Sequence, residues 1–250
     1  MSATVAAIWR YPIKGHGREA LQAVTLSAGA TLPWDRHWAV AHEAARLPED
    51  GGWAPCVNFC RGAKAPALMA IEARFDEASG TVTLTHPERG TLAFQPETEA
   101  ARFLDWVRPL MPEGRAAPVA LVRGNEARGW TDTDFPSVSL NNLASHRAVE
   151  QRLGRPLSPK RWRGNFWIEG LAPWEEFEWL EREIRLGTAR LKVRERIVRC
   201  LATTANPDTG RRDADTLGVL EEGWGHRDFG VYAEVIEGGR VAVGDAVELI

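Results

Sequence analysis

The chain has 250 residues, 44% of them hydrophobic and 26% charged, with a formal net charge of −3. That is length enough for one large domain or two small ones, with an ordinary globular composition. The slightly acidic balance argues against nucleic acid or an anionic membrane as partner, and no apolar run approaches a membrane span.

The N-terminal run 1–15 puts no basic segment before its short apolar stretch, so a signal peptide is not expected and a cytoplasmic location is. Three cysteines are too few for a disulfide framework. Cys56 and Cys60 have the wrong spacing for a zinc ribbon and lack a second pair. Neither a GxGxxG turn nor a Walker loop occurs. The eleven tryptophans predict large packed surfaces.

In chain order, a strand is predicted over Thr4–Arg10, closed by Tyr11-Pro12. Gly15 and Gly17 then flank His16 in a tight loop after Lys14, whose ammonium is either a solvated charge or an anion clamp. A strand follows over Leu21–Leu26. The segment Trp34-Asp35-Arg36-His37-Trp38 leads into the apolar run Ala39–Ala41. Arg36 there is either an ion-paired structural residue or an anion contact. Residues 47–65 lack periodicity and read as a long loop, a common place for function. Strands are predicted over Leu68–Phe75, Thr81–Thr85 and Thr91–Phe94, and a helix over Glu97–Arg108. Pro112–Ala117 reads as a boundary, which predicts parts spanning 1–112 and 113–250.

Beyond it come strands at Val119–Val122 and Ser137–Leu140, then a helix capped by Ser145 and ended by Gly154. Lys160–Asn165 is a basic turn bearing Trp162, either a phosphate grip or a surface loop. Strands follow at Phe166–Ile168, on both sides of Gly187, and at Gly230–Ile236 and Arg240–Ile250. Many short strands with few helices predict a predominantly β, α+β fold of barrels or paired sheets.

The stretch Arg194–Gly210 draws most attention. Val, Ile, Leu and Thr make Arg194–Thr204 a candidate buried strand, stopped by the Asn206–Gly210 turn. In a regular strand Arg194, Arg196, Val198 and Cys200 share a face. Cys200 is then either a small buried hydrophobe or a thiolate favoured by nearby cations.

Several pieces together resemble proteins with a MOSC domain, named for the C-terminal domain of molybdenum cofactor sulfurase. Tyr11-Pro12-Ile13-Lys14 is similar to the YP(V/I)K opening of that family, and Asp35-Arg36-His37-Trp38 to its DR-x-W segment. Arg163-Gly164-Asn165 resembles the end of its FRPN motif, with Gly164 where Pro is common. Arg199–Gly210 is close to RC-x2-TT-x-DPDTG, with Asn206 in place of Asp. Phe229–Tyr232 and Val243–Asp245 resemble its ending. The resemblance implies a MOSC N-terminal β-barrel part followed by a barrel-like MOSC domain. It implies a molybdenum–pyranopterin (molybdopterin) cofactor in the cleft between them, with Cys200 as metal ligand and catalytic centre. Lys14, Gly15, Arg36, Arg163 and Asn165 are the implied cofactor contacts, with Ser139, Asn141 and Arg199 as weaker ones.

Pterin and pyridoxal phosphate are ligand classes expected on this resemblance. Gly15 stands where a reductase relative has Ser, which removes one hydroxyl contact. With three cysteines the chain cannot hold a four-cysteine iron–sulfur cluster. The implied activity, as in the amidoxime-reducing component, is reduction of a small N-hydroxylated substrate with electrons from a separate donor protein. The alternative is a carrier that passes sulfur or cofactor onward through a Cys200 persulfide.

Overall fold

The computed structural model describes residues 3–49, 51–125 and 127–250. The first strands are β1 (Ala3–Arg10), β2 (Ile13–Lys14), β3 (Glu19–Leu21), β4 (Ala23–Leu26) and β5 (Trp38–His42). Then come β6 (Glu72–Asp76), β7 (Thr81–His86), β8 (Gly90–Phe94), helix α1 (Ala100–Val107) and β9 (Pro118–Arg123). The second half holds β10 (Val138–Asn142), α2 (Leu143–Leu153), β11 (Phe166–Glu169), β12 (Glu183–Leu186) and β13 (Ala189–Val198). It ends with α3 (Thr216–Trp224), β14 (Asp228–Glu237), β15 (Gly239–Ala242) and β16 (Ala246–Leu249).

The fold is mostly β. A single sheet runs β11-β10-β14-β13-β12-β16-β1-β3, and β1 also pairs back to β11, so seven strands close into a barrel. Closure removes the open edges that a flat sheet would expose. Six of the seven staves come from the second half of the chain; β1 is the N-terminal contribution. Alternation fills the interior, with Val5, Val138, Leu140, Phe166, Ile168, Leu191, Val193, Val231 and Ala233 all buried. The meander β6-β7-β8 and the sheet β2-β5-β9 enclose a second core around Ile13, Val40, Phe75, Leu84 and Phe103. The helices α2 and α3 cover a third cluster of Val149, Trp162, Trp167, Leu220 and Phe229. Trp38, Trp106, Trp130, Trp162, Trp167 and Trp179 are buried, as packing residues should be.

Four local expectations change. Leu68 lies in a short 3-10 turn, Pro66–Ala70, because Pro66 fixes its start; the strand begins only at Glu72. Leu21–Leu26 is two strands, each pairing elsewhere, β3 with β1 and β4 with β15. Helix α2 is capped by Asn142, whose side chain accepts from Ala144 N at 2.8 Å. Ser145 does not cap, because its hydroxyl donates to buried Glu176 at 2.9 Å and accepts from Trp174 N. Helix α3 is additional to the sequence reading; Asp215 caps it through Gly218 N, and Gly225 ends it in the left-handed region.

The largest correction concerns Cys200. The ladder of β13 against β14 slips between Val193 and Glu195 and again between Arg196 and Val198, and the strand stops at Val198. Arg194, Glu195, Arg196 and Val198 are exposed, so this end is not a buried strand. Thr203 and Thr204 explain the stop. Their hydroxyls donate to the Cys200 and Leu201 carbonyls, which favours the short turn Leu201–Thr204 over a sheet ladder. Cys200 stands at the start of that turn and is exposed, so it is not the small buried hydrophobe of the sequence's plainer alternative.

Candidate functional site

A cleft of about 360 Å³ opens where the two halves of the chain meet. One wall comes from the early loops, with Lys14, Gly15, Arg36, Cys56 and Arg61. The other comes from the basic turn and the end of β13, with Arg161, Arg163, Glu195, Arg199 and Cys200. Asp132, Ser139 and Tyr232 complete it.

Lys14 sits on a two-residue strand paired parallel to β5, which pulls it out of solvent. Its Nζ donates to the Trp130 carbonyl at 2.7 Å and to Asp132 Oδ1 at 2.5 Å. It is thus a buried, anchored cation, and the solvated-loop alternative fails. Gly15 follows with φ +76°, and a Cβ there would stand 2.9 Å from the Cys60 carbonyl. Two loops approach closely here, which leaves little room for a side chain.

Tyr11 explains the arrangement of the two central arginines. The Arg36 guanidinium lies 4.8 Å from the centre of its ring and that of Arg163 lies 4.4 Å away. A neutral π-face between two cations lowers the cost of holding them close. Burial raises the Tyr11 phenol to about 12, against the pull of Arg163 and Arg36. Arg36 also pairs with Asp35 and donates to the Arg163 carbonyl at 3.0 Å. Burial opposes its charge, but Asp35 and Asp132 more than offset that and its pKa is raised. Among the described residues Arg163 forms no ion pair. Burial lowers it to about 10, and its Nη1 is buried without a hydrogen-bond partner. Arg161 is similar, pairing with Asp213 through Nη2 at 2.7 Å and leaving Nε and Nη1 unpartnered. The basic turn is therefore no surface loop, since Arg161 and Trp162 are buried.

Not every expected contact faces the cleft. Ser139 does, but its hydroxyl is spent on Asn165, donating to Oδ1 at 2.8 Å and accepting from Asn165 N at 2.9 Å. Asn165 itself lies behind the wall, also donating to the Trp9 carbonyl at 3.2 Å. Asn141 is fully buried behind Gly164 and Gly230, and Arg199 donates to its Oδ1 at 3.1 Å. Asn141 and Asn165 are thus not among the residues that line the cleft but stand behind its wall. Arg199 lines it yet spends its fork on the Trp162 and Phe229 carbonyls, at 2.6 and 2.8 Å. Burial lowers its pKa to about 10.

Cys56, Asp132, Arg161 and Glu195 are cleft residues that sequence reasoning did not assign. Desolvation raises the Cys56 thiol, with Asp132 acting in the same direction. Among the described residues no group of three or more His, Cys, Asp or Glu side chains gathers as a metal site. A metal at Cys200 would take that one protein sulfur and draw its other ligands from a cofactor.

Two family models match successive parts of the chain. Residues 2–117 match the family described as the MOSC N-terminal beta barrel domain, and residues 132–248 match the MOSC domain. The chain belongs to the MOSC family. A molybdenum cofactor sulfurase of Anopheles gambiae is 30% identical over 156 residues, covering 52% of this chain. The chain spans only 19% of that relative's length. Among solved structures, the YUAD protein of Bacillus subtilis is similar over 100% of this chain and 96% of its own, at 11% identity and a TM-score of 0.47. YiiM of Geobacillus stearothermophilus is similar over 45% of this chain and 53% of its own, at 21% identity and a TM-score of 0.34. No helix among the described residues is long and apolar enough to cross a membrane.

Proposed function

We propose that the cleft holds a molybdenum–pyranopterin cofactor and that the protein reduces small N-hydroxylated compounds with electrons from a separate donor protein. The observation that carries this reading is the pairing of an exposed thiol, Cys200, with buried guanidiniums whose donors lack partners, Arg163 Nη1 and the Arg161 Nε and Nη1. An unpaired buried donor is costly, and an anionic ligand relieves that cost. These residues fit an anionic cofactor carrying a thiophilic metal. Arg163, Arg161 and Arg36 would bind its phosphate and pterin, Lys14 would add charge, and Cys200 would be the soft ligand. When bound, such a group supplies two-electron redox chemistry with oxygen removal from substrate. Tyr11 packs against both Arg36 and Arg163, and Asn141 and Asn165 brace the wall.

Pyridoxal phosphate suits the cleft less well. It condenses with a free lysine amine, and the cleft's Lys14 Nζ is tied to Asp132 and the Trp130 carbonyl. A second reading, a persulfide carrier of sulfur or cofactor, is favoured by the exposure of Cys200 at the cleft mouth.

The test is to make the protein in a host that produces the cofactor and to assay bound molybdenum and pterin in wild type and Cys200→Ala. Wild type carrying both, with molybdenum lost in the variant, supports the ligand role. No molybdenum in wild type, or equal molybdenum in the variant, overturns it. Intact mass showing a removable extra sulfur on Cys200, without reductive turnover, selects the carrier.

A further inference from the structure

Asp132 and Glu195 are two carboxyl groups in one cleft, and their surroundings push them in opposite directions. For Asp132, desolvation works to raise the pKa, but the Lys14 ammonium at 2.5 Å and the more distant Arg36 and Arg61 bring it below the ordinary carboxyl value. It stays ionised.

Glu195 is placed by the slip in β13. Between Val193 and Glu195 the ladder gains a residue, so Glu195 comes opposite Tyr232 and takes its place in the cleft wall. Of its two arginine neighbours, Arg196 also lines the cleft, and both have other partners. Arg194 donates to Glu234 at 2.6 Å, and Arg196 lies 4.2 Å from the centre of the Phe177 ring with Asp228 at 3.9 Å. No ion pair joins Glu195 to a cation among the described residues. Asp134 faces it from the loop before β10, and Tyr232 from β14. Lys14, Arg36, Arg61, Arg161, Arg163 and Arg199 stand elsewhere in the cleft wall. Partial desolvation, then Asp134, raise the Glu195 pKa against the pull of Arg194. Two carboxyls so separated divide into a fixed anion and a proton carrier.

We infer that Glu195 is the proton donor for cleavage of the N–O bond of an N-hydroxylated substrate in this cleft. The inference rests on the reductase reading above. Overall, one N-hydroxy group takes up two electrons and two protons and yields one N–H group and one water. The N–O bond breaks, an N–H bond forms, and oxygen leaves as water. Both electrons come from a reduced flavin- or iron–sulfur-bearing donor protein. Glu195 gives its proton to the leaving oxygen and regains one from solvent at the cleft mouth; water supplies the other to nitrogen.

The test compares wild type, Glu195→Gln and Asp134→Asn, each made in a cofactor-producing host. Molybdenum content, turnover of an N-hydroxylated amidine with a reduced viologen as donor, and an infrared titration of the protonated-carboxyl band are measured. Glu195→Gln should keep its molybdenum and lose about a hundredfold in turnover, the usual worth of a general acid. Its rate should no longer decline as pH rises through the Glu195 pKa. Buried Glu176 is also raised and contributes its own protonated-carboxyl band in every variant. The wild-type infrared signal above the usual carboxyl range should lose one component in Glu195→Gln, and that component should shift to lower pH in Asp134→Asn. Wild-type turnover with an unchanged rate and pH profile in Glu195→Gln overturns the proton-donor role alone. An infrared signal of undiminished area in Glu195→Gln does the same. Loaded wild type without turnover overturns the reductase reading and this inference together.

Discussion

Gly164 has no side chain because Asn141 occupies the space one would need: a Cβ on Gly164 would lie 2.2 Å from Asn141 Nδ2. Asn141 cannot easily yield, being fully buried and held by Arg199. Gly164→Ala should cost about 1–3 kcal/mol, the usual penalty of overpacking. Urea denaturation of Gly164→Ala, Asn141→Ala and the double variant checks this. The double variant should be more stable than the sum of the two single losses predicts, because removing Asn141 clears the space.

The Gly15→Ser change would add a hydroxyl to the cleft, yet it should weaken the protein. Ser has to adopt φ near +76° and press on the Cys60 carbonyl. A loss of about 1–3 kcal/mol is expected, read as a lowered midpoint in thermal unfolding. Equal or greater stability would mean that the loop holding Cys60 moves freely.

His16 makes stability depend on pH. Its Nδ1–H donates to the Lys14 carbonyl at 2.7 Å, and its buried Nε2 has no partner. Burial lowers its pKa from 6.5 to about 4. The unfolded chain therefore takes the proton first. The contribution is present in full above the unfolded pKa and is lost as pH falls through the window from 6.5 to about 4. Linkage puts the change at about 3 kcal/mol. His16→Asn keeps a donor for Lys14 and removes the titration, so its stability should vary less with pH across that window. Parallel curves for the two proteins would exclude His16 as the source.

The three thiols should separate under a mild alkylating reagent. Cys200 is exposed and should react first. Cys56 is half-buried with a raised pKa and should follow more slowly. Cys60 is buried, and desolvation raises it to about 11, so it should label only on unfolding. Peptide mass spectrometry at successive times gives the order, and early labelling of Cys60 would contradict the packing of its loop.

Local order was legible where neighbouring residues decide it. The meander β6-β7-β8 shows in the alternation of Val82 and Leu84 and in the turn at Asp76–Gly80, and Gly154 marks the end of α2. Barrel closure was not legible, because β1 pairs with strands far along the chain. The motif residues Lys14, Arg36, Arg163 and Cys200 do converge on one cleft. Glu195 was hidden by the slip in β13, which breaks the alternation that face assignments rely on. Asp132 was hidden because only the fold brings a loop carboxylate to Lys14. Helix α3 was open to reading from its Asp215 cap and terminal Gly225; with only nine residues between them its periodicity is weak.

The pairing of β1 with both β11 and β16 sets a timetable for synthesis. Ala3 of β1 and its partner Val247 of β16 are separated by every other barrel strand. The first stave of the ring must wait for the last before the ring can shut. The cleft walls descend from that ring, so a nascent chain still short of β16 presents no finished receptacle.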